Sequence, residues 1–349
     1  MAANAPPTTA LIGEAPAFLA MLEHVSRAAK LSKPVLVIGE RGTGKELIAS
    51  RLHYLSPRWE QPMIKVNCAA LTETLLETEL FGHQAGAFTG ATRTHIGRFE
   101  QANGGTLVLD ELGTIPPRMQ EKILRVIEYG EFQRVGGSET ISTDVRIVGA
   151  TNEHLPRLAE LGRFRADLLD RLAFDVVHVP PLRARPEDID TLAYHFAVNV
   201  TSELKRPFFP GFTTDAKAAL LGYGWPGNVR ELKNAVERSV YRTDEADKPI
   251  GRILFDPFAS PYAPAPAPFP AREEAVEAAA EQVSEQEIPG DFRSAVAAFE
   301  QRVLRRALER AQFKQTTAAK LLGLSYHQLR SLLRKHALAK SANGDADLD

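Results

Sequence analysis

Residues 39–45 read Gly-Glu-Arg-Gly-Thr-Gly-Lys and follow directly on the apolar run Val35–Ile38. No other feature constrains the fold as strongly. A glycine-rich turn that ends in lysine, placed after an apolar run, fits the G-x-x-x-x-G-K pattern of a buried strand turning into a helix. Backbone N–H groups of Gly42 to Lys45 would then point at a phosphate from a helix N-terminus. Four further β-branched runs, at 63–66, 106–109, 145–150 and 174–179, alternate with helical patterns. Each is nearly continuous in apolar residues, as strands covered on both faces are. The alternation predicts an α/β fold with a parallel five-stranded sheet wrapped by helices.

The loop residues Gly39, Glu40, Arg41, Gly42, Thr43 and Gly44 lead to Lys45, a point charge for terminal phosphates. Position 46 is Glu46, where the general pattern has Ser or Thr for Mg²⁺. On this motif alone, a plain glycine turn is an alternative reading. The second half of the site narrows it. Residues 106–111 read Thr-Leu-Val-Leu-Asp-Glu, an apolar strand ending in two carboxylates. Asp110 is placed to hold Mg²⁺ and Glu111 to polarise an attacking water. Loop and carboxylates together, each in its strand context, point to nucleotide hydrolysis.

Residues 86–91, Gly86, Ala87, Phe88, Thr89, Gly90 and Ala91, set one large ring among small residues. Glycines at 86 and 90 are hinges, Phe88 is an aromatic anchor of the kind that dominates interfaces, and Thr89 adds a directional hydroxyl. Such a segment packs poorly on its own chain and reads as a contact with another protein.

With the phosphate loop, this insert resembles the sigma-54-dependent transcription activators, a branch of the AAA+ ATPases. The resemblance implies an AAA+ core over 10–182 and a helical lid over 183–243. It implies that residues 86–91 grip sigma-54 in the RNA polymerase holoenzyme and move as ATP is hydrolysed, with residues 129–137 as a companion loop in which Arg134 relays the nucleotide state. Asn67 would hold Glu111 inactive until nucleotide and target are engaged. Asn152 looks like the first sensor, and Arg230, within Trp-Pro-Gly-Asn-Val-Arg-Glu-Leu at 225–232, like the second, on the γ-phosphate. Arg165 and Arg171 resemble arginine fingers that reach a neighbouring subunit's site, which implies a homo-oligomeric ring, a hexamer when active. Read without the family, they are charges on a helix surface.

Charge is uneven along the chain. The net charge is -2, yet residues 291–340 carry eleven Lys/Arg against three acids, a local +8. A basic end on an acidic body points to nucleic acid. Residues 316–325 read as helix, glycine turn and a Ser325 N-cap. The next helix would bury Leu329, Leu332 and Leu333 and expose Tyr326, His327, Gln328, Arg330, Ser331, Arg334 and Lys335. Its first residues would meet base edges and its later bases phosphate. The segment is similar to a Fis-like helix-turn-helix and implies enhancer DNA as a partner, with Ser325 and the exposed set, Ser331 aside, as contacts. Phe292, Val296, Phe299 and Val303 ahead of it suggest an amphipathic helix that pairs with a second copy.

The remaining segments read by composition. Residues 1–9 are expected to be disordered, 244–290 a Pro/Ala/Glu-rich linker, 291–340 the DNA-binding domain and 341–349 a tail. Cys68 is the single cysteine, which fits a reducing cytosol. No signal peptide and no membrane span are expected. With no room for a regulatory domain ahead of residue 39, the layout is similar to the phage shock branch of the family. That implies restraint by phage shock protein A docking near Trp59, which reads equally as a cap on the core. Two rivals are a different AAA+ remodelling motor, disfavoured by residues 86–91, and a DNA-binding architectural protein with an inert site, disfavoured by Asp110, Glu111 and Arg165. A sigma-54 activator with a different regulon is a further alternative.

Overall fold

The computed structural model describes residues 11–243, 245–258, 262, 292–311 and 313–336. The expectations for 1–9, for most of the linker and for the tail lie outside the described residues. Seven strands lie among the described residues: β1 (Val35–Ile38), β2 (Met63–Asn67), β3 (Thr106–Asp110), β4 (Glu131–Gln133), β5 (Thr140–Ser142), β6 (Arg146–Thr151) and β7 (Asp175–His178). Five form a parallel sheet in the order β2-β3-β6-β1-β7. The five predicted runs are these five strands, with no end displaced by more than one residue.

Continuous apolar runs follow from the layering. Side chains alternate across each strand. Leu36, Leu107, Leu109 and Ile147 face one layer, which contains α3 (Glu73–Phe81), α5 (Pro117–Tyr129) and α7 (Ala166–Leu172). Val35, Val37, Val108, Val148 and Val177 face the other, built from α1 (Pro16–Ala29) and α2 (Lys45–Tyr54). Both faces are buried, so neither can be polar. Truncating one of these leucines to alanine would cost about 2–5 kcal/mol. Two short helices, α4 (Arg98–Gln101) and α6 (Leu155–Glu160), complete this layer set.

One buried charge braces the second layer. Arg146, at the start of β6, donates to the carbonyls of Ala28 and Ala29 at 2.8 and 3.1 Å and of Leu52 at 3.3 Å. It thereby satisfies carbonyls at the end of α1 and near the end of α2. Burial brings its pKa down to about 10.

The lid is α8 (Glu187–Glu203), α9 (Thr214–Gly222) and α10 (Asn228–Tyr241) around buried Trp225. It extends further than the sequence implied. Ile250 and Ile253 are buried in its core, Phe255 stacks on Tyr223 with centroids 4.4 Å apart, and Arg238 donates to Leu254 O at 2.8 Å. Residues 250–255 therefore pack as part of the lid. A buried carboxylate ties the segment ahead of α1 to it: Asp188 Oδ1 accepts from Glu14 N at 2.6 Å and from Ala15 N at 2.9 Å.

Residues 261–349 form a separate unit. Its described part is α11 (Phe292–Arg310), α12 (Gln315–Leu321) and α13 (Tyr326–Lys335), packed through Leu304, Leu308, Ala318, Leu329 and Leu333. Gly323, at φ +62, makes the turn between α12 and α13.

Candidate nucleotide site, working loop and nucleic-acid face

The phosphate loop leaves β1 and enters α2 at Lys45, with Gly42 at φ +77 and Gly44 at φ +94. An open cleft of about 1000 Å³ lies over it, lined by Arg41, Gly42, Gly44, Lys45, Glu46 and Leu47 from the loop, Asp110 and Glu111 from the end of β3, and Val229 and Arg230 from α10. Lys45 is nearly buried, and its Nζ donates to Gly39 O at 2.9 Å and Glu40 O at 3.1 Å. Burial lowers its pKa; Glu111 and Asp110 oppose that, and Arg230 and Arg41 add to it. Three cations, Arg41, Lys45 and Arg230, thus share one cleft with three carboxylates, Glu46, Asp110 and Glu111, the charge pattern suited to a polyphosphate with a cation.

Three of the loop residues singled out from sequence stand behind this lining. Gly39 donates to Thr151 O at 3.2 Å, Thr43 is buried with its hydroxyl on Glu40 O at 2.8 Å, and the Glu40 carboxylate turns away to Arg183 and Asn228. Arg183 and then Asn228, by hydrogen bonding, lower the Glu40 pKa to about 2. Through its side chain Glu40 therefore supports the loop. Glu46 accepts from Lys65 on β2 at 2.8 Å. The lysine neutralises the carboxylate that stands where a Ser or Thr is usual.

Glu111 lies in the left-handed region at φ 53, ψ 44, a conformation that costs a non-glycine residue roughly 1–3 kcal/mol. Its N–H donates to Asp110 Oδ1 at 2.9 Å. Asn67 is next to Asp110 in register across β2 and β3, but its Oδ1 accepts from Ala69 N at 3.0 Å and no hydrogen bond joins it to Glu111 among the described residues. Cys68 beside it is buried, and burial, with Asp110 and Glu111, pushes its thiol up to about 12. Asn152 follows β6, outside the cleft lining; its Oδ1 is buried without a partner among the described residues.

Arg165 and Arg171 do not reach this cleft. Arg165 pairs with Asp167 at 2.6 Å and Arg171 with Glu128 at 3.0 Å, all on or beside α7.

The 86–91 segment is a turn closed on itself. Gly86 N donates to Ala91 O at 2.7 Å and Ala91 N to Phe88 O at 3.0 Å. Gly86 and Gly90 hold φ of +85 and +98. Phe88 is 45% exposed, its other side resting on His83 with centroids 5.0 Å apart. Thr89 is exposed. Ala91 is buried at the loop's base. The companion segment holds that base: Gln84 N donates to Val135 O at 3.1 Å, and a Cβ on Gly136 would stand 2.6 Å from Ala87 Cβ. Within it lies β4, which pairs antiparallel with β5 just beyond it, so the segment is one arm of a hairpin rather than a plain loop. Arg134 pairs with Glu100 at 2.7 Å.

On the separate helical unit, the exposed set is as expected: Tyr326, His327, Gln328, Arg330, Ser331, Arg334 and Lys335 face solvent, while Leu329 and Leu333 are buried. Ser325 and Gln328 form a reciprocal cap, with Gln328 N on Ser325 Oγ at 3.3 Å and Ser325 N on Gln328 Oε1 at 2.9 Å. Both oxygens are engaged, which leaves the Gln328 amide NH₂ for a base. Lys335 also pairs with Glu300 on α11 at 2.8 Å. Val296, Phe299 and Val303 are exposed along α11. Trp59, at 56% exposure, stands out from the surface and does not cap the core.

No helix among the described residues is long and apolar enough to cross a membrane. Family models match the chain along its length: a Sigma-54 interaction domain at residues 11–178, an AAA+ ATPase lid domain at 183–250, and the Fis family of bacterial regulatory proteins at 295–336. The chain is 56% identical to the Psp operon transcriptional activator of Escherichia coli over 94% of its own length and 98% of that protein's. It is 50% identical to the Nif-specific regulatory protein of Azotobacter vinelandii, covering 67% of this chain and 45% of that one. NtrX from Brucella abortus, solved in complex with ATP, matches with a TM-score of 0.64 at 31% identity, over 94% of this chain and 70% of that one. The chain belongs to the sigma-54-dependent transcription activators, AAA+ ATPases that end in a Fis-type DNA-binding domain.

Proposed function

We propose that this chain binds enhancer DNA and hydrolyses ATP to remodel the closed complex of sigma-54 RNA polymerase holoenzyme into an open one. The observation that carries this reading is the joint presence of a cation-and-carboxylate cleft and an exposed Phe88–Thr89 turn in one chain. Phosphates lie against the backbone N–H groups of Gly42 to Lys45, with Lys45 and Arg230 as cations. Glu111 orients the attacking water and takes its proton.

The residues fit Mg²⁺. Asp110 lines the cleft, and with one oxygen on Glu111 N its carboxylate keeps a second for a cation; Glu46 is already paired with Lys65. The ion would neutralise developing phosphate charge. Arg165 and Arg171, remote from their own cleft, serve a neighbour's, which makes the working form a ring, hexameric when active. Tyr326, His327, Gln328, Arg330 and Arg334 contact DNA, and the α11 stripe pairs with a second copy. Asn67 restrains Glu111, and Asn152 and Arg230 sense the nucleotide.

The similarity to the Psp operon transcriptional activator supports phage shock, membrane-stress genes as the targets, with phage shock protein A docking at exposed Trp59 as restraint. The protein works in the cytoplasm, at the nucleoid. The experiment is transcription from a sigma-54 promoter with purified components. Open complexes should appear with ATP and not with ADP; activation indifferent to hydrolysis would refute the reading.

A further inference from the structure

Three stretches of chain meet beside the phosphate loop, and one amide joins them. Gly42 lies so close to the lid that a Cβ on it would stand 2.2 Å from Gly227 O. Next to this contact, Arg230 N donates to Gly42 O at 3.3 Å. Asn228, at the start of α10, is fully buried and left-handed at φ +52, a region Asn tolerates better than most side chains. Its Oδ1 accepts from Leu182 N at 2.8 Å, where the chain passes from the sheet layer into the lid. Its Nδ2 donates to Glu40 Oε2 and to Arg41 O, both at 3.1 Å. Glu40 also accepts from Arg183, at 2.7 Å for one of the two bonds. No other side-chain type reproduces this set. Aspartate lacks a donor for Arg41 O and repels Glu40. Glycine takes the backbone conformation but has nothing to bond.

We propose that Asn228 is a positioning residue for ATP hydrolysis: with Glu40 and Arg183 it locks the phosphate loop to the lid and holds Arg230 over the phosphates. The lid then cannot shift without moving the loop that carries Lys45. This rests on the reading of Arg230 as a phosphate ligand.

The test uses the full chain with Asn228→Gly, Asn228→Asp, Arg230→Ala and the Asn228→Gly/Arg230→Ala double variant. Glycine keeps the left-handed turn, so lost bonds are separated from backbone strain. Turnover, ADP affinity and thermal midpoint are measured on each. Loss of a hydrogen bond to a charged carboxylate should lower kcat by roughly tenfold or more in Asn228→Gly. ADP, which lacks the terminal phosphate, should bind nearly as before. The double variant should be no slower than Arg230→Ala alone, because residues acting as one unit are not additive. Asn228→Asp should be at least as impaired as Asn228→Gly. Wild-type turnover in Asn228→Gly, or losses that add in the double variant, would overturn the proposal. So would ADP affinity and thermal midpoint falling in step with turnover, which is the behaviour of a merely structural residue. Normal turnover in Arg230→Ala would remove the reading of Arg230 and the proposal with it.

Discussion

Asn67 and Asp110 are register partners at the C-terminal ends of β2 and β3. Adjacent parallel strands lie about 4.8 Å apart, so an amide stands next to the carboxylate pair at the mouth of the cleft. The Asn67 oxygen is held by Ala69 N, one bond in an exposed turn. Breaking such a bond costs on the order of 1 kcal/mol, well within what nucleotide binding can supply. Glu111, one residue on, is held in a left-handed turn that aims its carboxylate independently of the strand. The two groups are therefore separately adjustable, as a restrained base requires.

Glu111→Ala should bind ATP with little change and turn it over some hundred- to ten-thousandfold more slowly, the range of a lost general base. Lys45→Ala should instead lose nucleotide binding, because the phosphates lose their fixed cation. Nucleotide binding and phosphate release measured side by side check both. Near-normal turnover by Glu111→Ala would remove its assigned role.

Arg165→Ala should be inactive alone and regain activity when mixed with Lys45→Ala. Arg165 is bonded to Asp167 and does not line its own cleft; on the proposed reading it serves a neighbour's. Mixed subunits then restore some intact interfaces. If no mixing ratio restores turnover while sizing shows normal assembly, the finger acts within its own subunit.

Glu40 gives the fold an acid-sensitive contact. Its folded pKa is depressed to about 2 by Arg183 and Asn228. The associated stability is therefore present above its ordinary pKa of about 4.5 and is lost as pH falls toward 2. Glu40→Gln should be less stable than wild type at neutral pH, by no more than about 1 kcal/mol for so exposed an ion pair. The difference should vanish near pH 2. Denaturation midpoints across that window decide it; a gap that widens on acidification would contradict the sign.

Much of this was legible because the physics was local. A strand covered on both faces must be apolar throughout, and five such strands, with a glycine turn and two carboxylates at their ends, announced themselves. The β4–β5 hairpin did not: its strands are three residues each and mix polar with apolar side chains. Residues 245–255 follow the last lid helix without a periodic pattern of their own, yet Ile250 and Ile253 complete the lid core. Asn228 and Arg183 were missed because their roles exist only once the lid meets the loop. The bond of Lys335 to Glu300 crosses 35 residues, and no helical spacing predicts it.

Ser325→Ala should cost the helix-turn-helix about 1 kcal/mol by removing one half of its cap. Its effect on DNA should follow that loss of stability. Arg334→Ala should leave stability alone, weaken binding to every sequence and flatten the salt dependence, as a phosphate contact does. Binding isotherms at several salt concentrations, beside melting curves, separate the two. An Arg334 effect confined to one base position would make it a base reader.

Thr89→Ala tests the output end of the protein. Thr89 is exposed on a turn whose two ends are bonded to each other and whose base is gripped by Val135 and Gly136. Neither it nor its neighbours line the nucleotide cleft. Removing the hydroxyl and methyl should spare nucleotide binding and most basal hydrolysis. It should abolish the grip on sigma-54 formed with a transition-state analogue such as ADP–aluminium fluoride, and open complexes with it. Phosphate release, analogue-dependent sigma-54 binding and transcript yield should be read from one preparation. If all three fall together, the turn belongs to the catalytic scaffold. If none falls, sigma-54 is met elsewhere. Because Gly86 and Gly90 hold the turn's shape without help from residue 89, a loss confined to the last two readouts identifies the side chain itself as the contact.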